Sequence, residues 1–242
     1  MPFLEKFVSF FQRRPEKSDK DLLLGDNEND HQLIRYDYRS PTFHHSEEAA
    51  AFKHGVSLGL THAHAAALQY FTNATTKGNV LAAPTWGNIG VAQAKSGNYD
   101  DSIISFDKAL TISPEYTLPL CNKATTLVLM SHPEDAIALY DSAIKINEPP
   151  TKYLAPFFKG MLLCKLDKYE EALKCFRNAA PADYYEEEIV NHNMGIILRK
   201  LKRDEEAEIA SLLETKARLF SQGRVKEARE LQIRINNLTR KR

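Results

Sequence analysis

The 242-residue chain is poor in the features that announce a specialised class. It has only three cysteines, Cys121, Cys164 and Cys175, an odd number without C-x-x-C spacing. That excludes a disulfide framework and a cysteine-rich metal knuckle, and leaves reduced thiols in apolar helical context. It has no excess charge of either sign, with 32 basic against 32 acidic side chains, so no overall field draws it to nucleic acid or anionic lipid. No apolar run approaches the ~20 residues needed to cross a bilayer. The N-terminal apolar stretch is interrupted by Glu5 and Lys6 and lacks a small-residue cleavage site, so neither a secretory signal nor a span is expected. A cytoplasmic location follows from these expectations.

Catalytic and metal-binding signatures are equally scarce. There is no phosphate-cradling glycine loop, no G-x-S-x-G, no H-E-x-x-H and no cysteine-histidine nucleophile context. No enzymatic activity, catalytic residue or cofactor is expected. His54, His62 and His64 cluster in one stretch after His44-His45, but no cysteine or carboxylate joins them at ligand spacing. His62 and His64 read as turn residues, and no metal is assigned. Asp19 to Leu24 has the form of an acidic dileucine signal, a short pattern that chance produces often.

What the chain does have is internal repetition, the first thing to seek in a sequence of this composition. Small residues recur at Gly55, Gly90, Ala124, Gly160 and Gly195, at spacings of 35, 34, 36 and 35. A second small column, Ala67, Ser102, Ala136, Ala172 and Ala207, runs twelve residues behind the first at every step. Bulky rings follow at Phe71, Phe106, Tyr140 and Phe176, then Ala74, Ala109, Ala143 and Ala179. A small residue on one helix lets a second approach closely, and the ring on the second fills the space beside it. Each unit is therefore a hairpin of helices. Gly97-Asn98, Ser131-His132-Pro133 and Asp167-Lys168 supply the turns, and Ser113-Pro114 and Glu148-Pro149-Pro150 stop the second helix.

The segment from Trp86 to Pro114, with Ile89, Gly90, Ser102, Phe106 and Ala109, resembles a tetratricopeptide repeat, and Tyr169, Ala172, Phe176 and Ala179 resemble the second half of another. The resemblance covers about residues 47 to 216 and implies an all-α fold. It predicts a right-handed superhelical solenoid of about five hairpins, the fifth degenerate because Ser211 and Glu214 stand where Phe106 and Ala109 stand in the second. Pro156 likewise replaces the large residue that Trp86 supplies. A stack needs its last apolar face covered. A helix at 204–221, a turn at Gly223 and a capping helix at 224–240 fit that need, with Val225, Ala228, Leu231, Ile235 and Leu238 inward. The repeat domain is thus expected at 47–242, preceded by an arm at 1–46.

The resemblance further implies that the first helices of successive hairpins line a concave surface that holds a partner polypeptide, as scaffold, adaptor or chaperone. One column there reads Asn88, Asn122 and Asn193, with Lys53 and Phe158 substituting in the first and fourth units. Asparagine carries both a donor and an acceptor, so a row can pair with a peptide backbone, or bond within the stack instead. Neighbouring positions are apolar: Val91, Leu118, Phe157 and Met161 among the expected contacts, with Cys121, Val128, Cys164, Ile189 and Ile196 beside them. Phe52, Val56, Leu154 and Phe158 occupy places where the family's chaperone-tail clamp has charged residues, so an apolar or helical ligand is expected and acidic chaperone tails are not. No nucleic-acid partner is expected.

In the arm, residues 2–14 read as an amphipathic helix, with Phe3, Leu4, Phe7, Val8, Phe10 and Phe11 on one arc and Glu5, Lys6, Ser9, Gln12 and Arg13 opposite. The polar stretch that follows reads as a flexible linker, interrupted by Tyr36, Tyr38 and Phe43, which are expected to dock on the first hairpin. Three surfaces compete for the helix: permanent packing on the repeats, reversible occupation of the groove in cis, and a membrane surface, which would make the protein a membrane-targeted adaptor.

Overall fold

A computed structural model describes residues 46–76, 83–147, 151–179 and 184–240. All regular structure in these residues is α-helical. The N-terminal arm, including its apolar arc from Phe3 to Phe11, lies outside the described residues.

Eleven helices follow one another among the described residues. α1 (Ser46–Leu60) and α2 (His64–Thr76) form the first hairpin, α3 (Ala83–Lys95) and α4 (Tyr99–Ile112) the second, and α5 (Thr117–Leu129) and α6 (Pro133–Ile146) the third. α7 (Thr151–Lys165) and α8 (Tyr169–Asn178) form the fourth, α9 (Tyr184–Lys200) and α10 (Asp204–Ser221) the fifth, and α11 (Val225–Thr239) closes the series. The chain divides into two compact units near residue 151, the first holding the hairpins α1 to α6 and the second α7 to α11.

Each intra-hairpin turn is built the same way. His62, Gly97, Ser131, Asp167, Lys202 and Gly223 all take left-handed backbone, with φ between 57° and 84°. The first five repeat the spacings of the small-residue column. The Gly97 N–H donates to the Ala94 carbonyl at 3.0 Å and the Asn98 N–H to the Gln93 carbonyl at 2.9 Å. The same pair closes each of the other turns, for example Lys202 to Arg199 at 3.0 Å and Arg203 to Leu198 at 2.8 Å. These are Schellman closures, which satisfy the last carbonyls of one helix while reversing the chain into the next.

Within the first unit α2 packs on α3 and α4 on α5, while α3 also touches α1 and α5, so the hairpins stack. The contact between each first and second helix follows the small-beside-ring rule. A Cβ added to Gly55 would meet Phe71 at 2.8 Å, and one added to Gly90 would meet Phe106 at 2.7 Å. In the third hairpin the ring is Tyr140, whose buried hydroxyl needs a partner. Thr125 Oγ1 donates to the Cys121 carbonyl at 3.0 Å and therefore accepts from the Tyr140 hydroxyl at 2.8 Å.

In the second unit Gly160 lies against Phe176 in the same manner, and Pro156 is accommodated, buried, inside α7. The fifth hairpin departs from the rule. An added Cβ at Gly195 would make only ordinary contacts, the nearest with Ala210 Cβ and Arg199 Nη1 at 3.8 Å and the Ala207 carbonyl at 3.9 Å, none of them a ring. Polar contacts join α9 to α10 instead: the ion pairs Arg218 Nε to Glu188 at 2.7 Å and Lys216 to Glu187 at 3.3 Å, and a contact of His192 Nδ1 with Glu214 at 3.3 Å. α11 packs on α10 through Ala228 and Ile235, both buried, with Leu231 and Leu238 half-buried. Val225 does not turn inward as expected; it sits in the first turn, where the chain has only just left Gly223, and it is exposed. Ile233 is exposed as well, so the cap retains apolar surface on its outer side.

Candidate partner-binding face

The first and second helices of the hairpins are buried in different ways. In α4 the buried residues are Ser102, Ser105, Phe106 and Ala109, and in α6 they are Ala136, Tyr140 and Ala143, a single stripe in each case. In α3 every residue from 87 to 92 is buried, and in α5 every residue from 117 to 126 except Lys123. Such runs exceed one turn, so these first helices are shielded on all sides rather than along one stripe.

The residues expected to face a partner fall on those shielded stretches. In the first unit, Asn88 and Val91 lie on α3, and Leu118 and Asn122 on α5, all buried. Phe52, Val56 and Cys121 are buried beside them, and Val128 is half-buried near the end of α5. Gly87 allows the next hairpin to come close: an added Cβ would lie 3.4 Å from Pro119 Cγ. Asn88 and Asn122 therefore occupy matching places on adjacent first helices.

In the second unit, Asn193 on α9 is fully buried. Its side-chain N–H donates to the Ile189 carbonyl one turn back at 2.8 Å, which orients the amide and leaves Oδ1 without a hydrogen bond among the described residues. On α7, Phe157 packs within its own hairpin, its ring 5.5 Å from that of Phe176 and stacked on Tyr153 at 5.3 Å. Phe158 meets Phe157 edge-on at 5.8 Å, and Met161, Leu154 and Cys164 are buried alongside. Burial pushes the Cys164 thiol up to about 12, with the nearby Cys175 adding to the rise and Lys200 opposing it. It is an inert packing group and no nucleophile.

The histidines do not converge. His62 occupies the left-handed turn position and His64 begins α2, with their rings 5.7 Å apart. Among the described residues no group of three or more His, Cys, Asp or Glu side chains is placed to hold a metal ion, and no helix is long and apolar enough to cross a membrane. Sequence reasoning missed the ionic seam between α9 and α10. Its signal was present in Glu214, a charged residue in a column otherwise filled by alanine.

Comparison with known proteins agrees with this architecture. Residues 83–116 match the tetratricopeptide repeat family model. A stretch of 102 residues, 42% of this chain, is 29% identical to Superkiller complex protein 3 of Mus musculus and spans 6% of that protein's length. Among solved structures, the MamA RS-1 ArsTM double mutant superposes with a TM-score of 0.59 at 14% identity, covering 74% of this chain and 98% of that one. MamA 41-end from Desulfovibrio magneticus RS-1 gives a TM-score of 0.55 at 16% identity, covering 75% of this chain and 98% of that one. At such identities the likeness speaks to the fold alone.

Proposed function

The chain is a tetratricopeptide repeat protein, and from that premise we propose that it binds a polypeptide segment of a partner along its first-helix face, as a cytoplasmic scaffold, adaptor or chaperone. The observation that supports the proposal is the stacking of helical hairpins in the tetratricopeptide manner, with residues 83–116 matching that repeat. Asn88 and Asn122, at matching places on successive first helices, are the groups whose donors and acceptors a partner's backbone would pair with.

The chemistry of the face selects the ligand. Phe52, Val56 and Leu118 provide no cation for a terminal carboxylate, so an apolar or helical segment fits and an acidic tail does not. Nothing in the arrangement calls for a cofactor or a catalytic group.

The test is a photo-crosslinking residue placed at Leu118 or, as a control on the outer side, at exposed Lys108. The captured segment is identified, synthesised and titrated by fluorescence anisotropy. Saturable binding that Asn122→Ala weakens about tenfold, with helicity unchanged, is the expected result. Equal capture at Lys108, or a segment that does not saturate, rejects the reading.

A second reading draws on the apolar arc of the arm, Phe3, Leu4, Phe7, Val8, Phe10 and Phe11, as a peripheral membrane anchor for the same adaptor. Co-sedimentation with liposomes that Phe7→Asp abolishes would support it.

A further inference from the structure

We propose that the outward ridge of α11, formed by Lys226, Arg229, Ile233, Asn237 and Arg240, is a second docking surface, which takes an acidic helix of a partner protein carrying an aliphatic residue at its centre. The proposal is independent of the first-helix reading, because the ridge belongs to α11 alone.

The ridge follows from how α11 seats itself. At about 100° per residue, Ala228, Leu231, Ile235 and Leu238 share the arc that is buried or half-buried on α10. Lys226, Arg229, Ile233, Asn237 and Arg240 share the opposite arc, and all are exposed. Ile233, at 62%, is more exposed than any other large hydrophobic residue among those described.

The charge of the ridge is equally uncompensated. Residues 224–240 carry five basic and two acidic side chains, in a chain whose charges balance overall. Arg224 is held by Glu227 on the same helix, and Arg234 by Glu208 of α10 at 3.2 Å. The side chains of Lys226, Arg229 and Arg240 have no ion pair among the described residues, and Glu230, at the edge of the ridge, pairs with none of them. Pairing is thus satisfied on the flanks of α11 and left open along its crest.

Spacing identifies the kind of occupant. The polar groups of the ridge stand four and seven residues to either side of Ile233. Steps of three and four residues along one face make the seam against which a second helix packs. From Lys226 to Arg240 that seam is about 21 Å long. An aliphatic side chain on the incoming helix meets Ile233, carboxylates four and seven residues from it meet Lys226, Arg229 and Arg240, and Asn237 donates to one more.

Other polyanions fit less well. A lipid surface takes up a broad apolar face, and the apolar face of α11 is turned onto α10. A nucleic acid strand is held by stacking as well as by charge, and α11 has no aromatic residue. Neither gives Ile233 a partner of its own shape. Exposed ion pairs are individually weak and screened by salt, so the contact is of modest affinity and Ile233 supplies its selectivity.

The full chain is titrated by fluorescence anisotropy against a labelled alanine-based helical peptide of about 18 residues, with one leucine at its centre and glutamates four and seven residues to either side. A second peptide of the same composition has the leucine and glutamates scattered over different faces. Saturable binding to the first is expected, about fivefold tighter than to the second. Raising salt from about 20 mM to about 300 mM should weaken it about tenfold. Ile233→Ser should weaken it about fivefold and Lys226→Glu/Arg229→Glu/Arg240→Glu more than about tenfold, at unchanged helicity, while Lys145→Glu, an exposed cation in the first unit, leaves it as it was. Equal binding of the scattered peptide, indifference to Ile233→Ser, an equal loss with Lys145→Glu, or no saturable binding overturns the proposal. So does tighter binding, through the same three cations, to an oligouridylate or to vesicles of equimolar phosphatidylcholine and phosphatidylserine.

Discussion

A methyl group on Gly90 would lie 2.7 Å from Cε1 of Phe106, a ring with no solvent exposure. The relationship states why the small and bulky columns move together along the chain: the missing side chain of one helix is the space taken by the ring of the next. Where the ring is absent the constraint lapses, as at Gly195, beside which Ser211 stands in the ring column.

Substituting these two glycines with alanine should therefore give opposite results. Alanine gains about 1 kcal/mol of intrinsic helix stability over glycine. At Gly195 nothing opposes that gain, and Gly195→Ala should raise the urea midpoint. At Gly90 the buried ring must move against a packed interior, and overpacking of about 1–3 kcal/mol outweighs the gain. Gly90→Ala should lower the midpoint, and a double substitution Gly90→Ala/Phe106→Leu should recover part of the loss. A stabilised Gly90→Ala would refute the packing account.

The left-handed turns give a second contrast. Lys202 is exposed and sits at φ 57°, where an L-residue is strained by roughly 1 kcal/mol, while Gly97 sits at φ 84° without that penalty. Lys202→Gly should be neutral to stabilising by up to about 1 kcal/mol, and Gly97→Ala should destabilise by about 1–2 kcal/mol. Thermal unfolding of the pair, read with the same probe, distinguishes this from a pure entropy effect, which would make both glycines costly.

How far the sequence carries depends on what each residue's neighbours decide. Gly55, Gly90 and Gly160 were legible because each answers to one ring at a constant offset, and periodicity reports constant offsets. The turn positions were legible for the same reason, even where the residue is Ser131 or Asp167 and not glycine. Phe157 was less legible. Its helical phase is compatible with a groove contact, yet its ring packs on Phe176 and Tyr153, a choice made by the shape of the hairpin interior. Asn193 could have offered its whole amide to a ligand, but a carbonyl one turn back takes the donor. Such local competition has no periodic signature. The exposure of Ile233 was legible too, since it lies about 200° around the helix from Ile235 and opposite the stripe of Ala228, Leu231, Ile235 and Leu238.

Ser102 supplies a third test. It occupies the column that holds alanine in the other four hairpins, it is fully buried, and its hydroxyl has no hydrogen-bond partner among the described residues. An unsatisfied buried hydroxyl costs about 1–3 kcal/mol relative to an apolar group of similar shape. Ser102→Ala should raise the melting temperature, with the second hairpin's amide exchange slowed. A lower melting temperature would mean that the hydroxyl has a role in the folded state that its surroundings do not reveal.

The ionic seam of the fifth hairpin makes stability depend on acid in a definite direction. Burial by itself pushes the Glu214 carboxyl up, but hydrogen bonding and charge from His192, with further help from Arg218, outweigh it and hold the group below its ordinary value. A carboxylate depressed in the folded state contributes stability that is fully present above its unfolded pKa, near 4.3 for glutamate, and is lost as pH falls through the lower folded value. Glu214→Gln keeps the shape and removes the charge. At neutral pH the variant should unfold at lower urea concentration than the wild type. As pH falls below about 4.3 the difference should shrink, because the wild type alone loses this contribution on protonation. A difference that stays constant down to the acid limb would show that Glu214 acts through packing, and that the charged seam contributes nothing to joining α9 and α10.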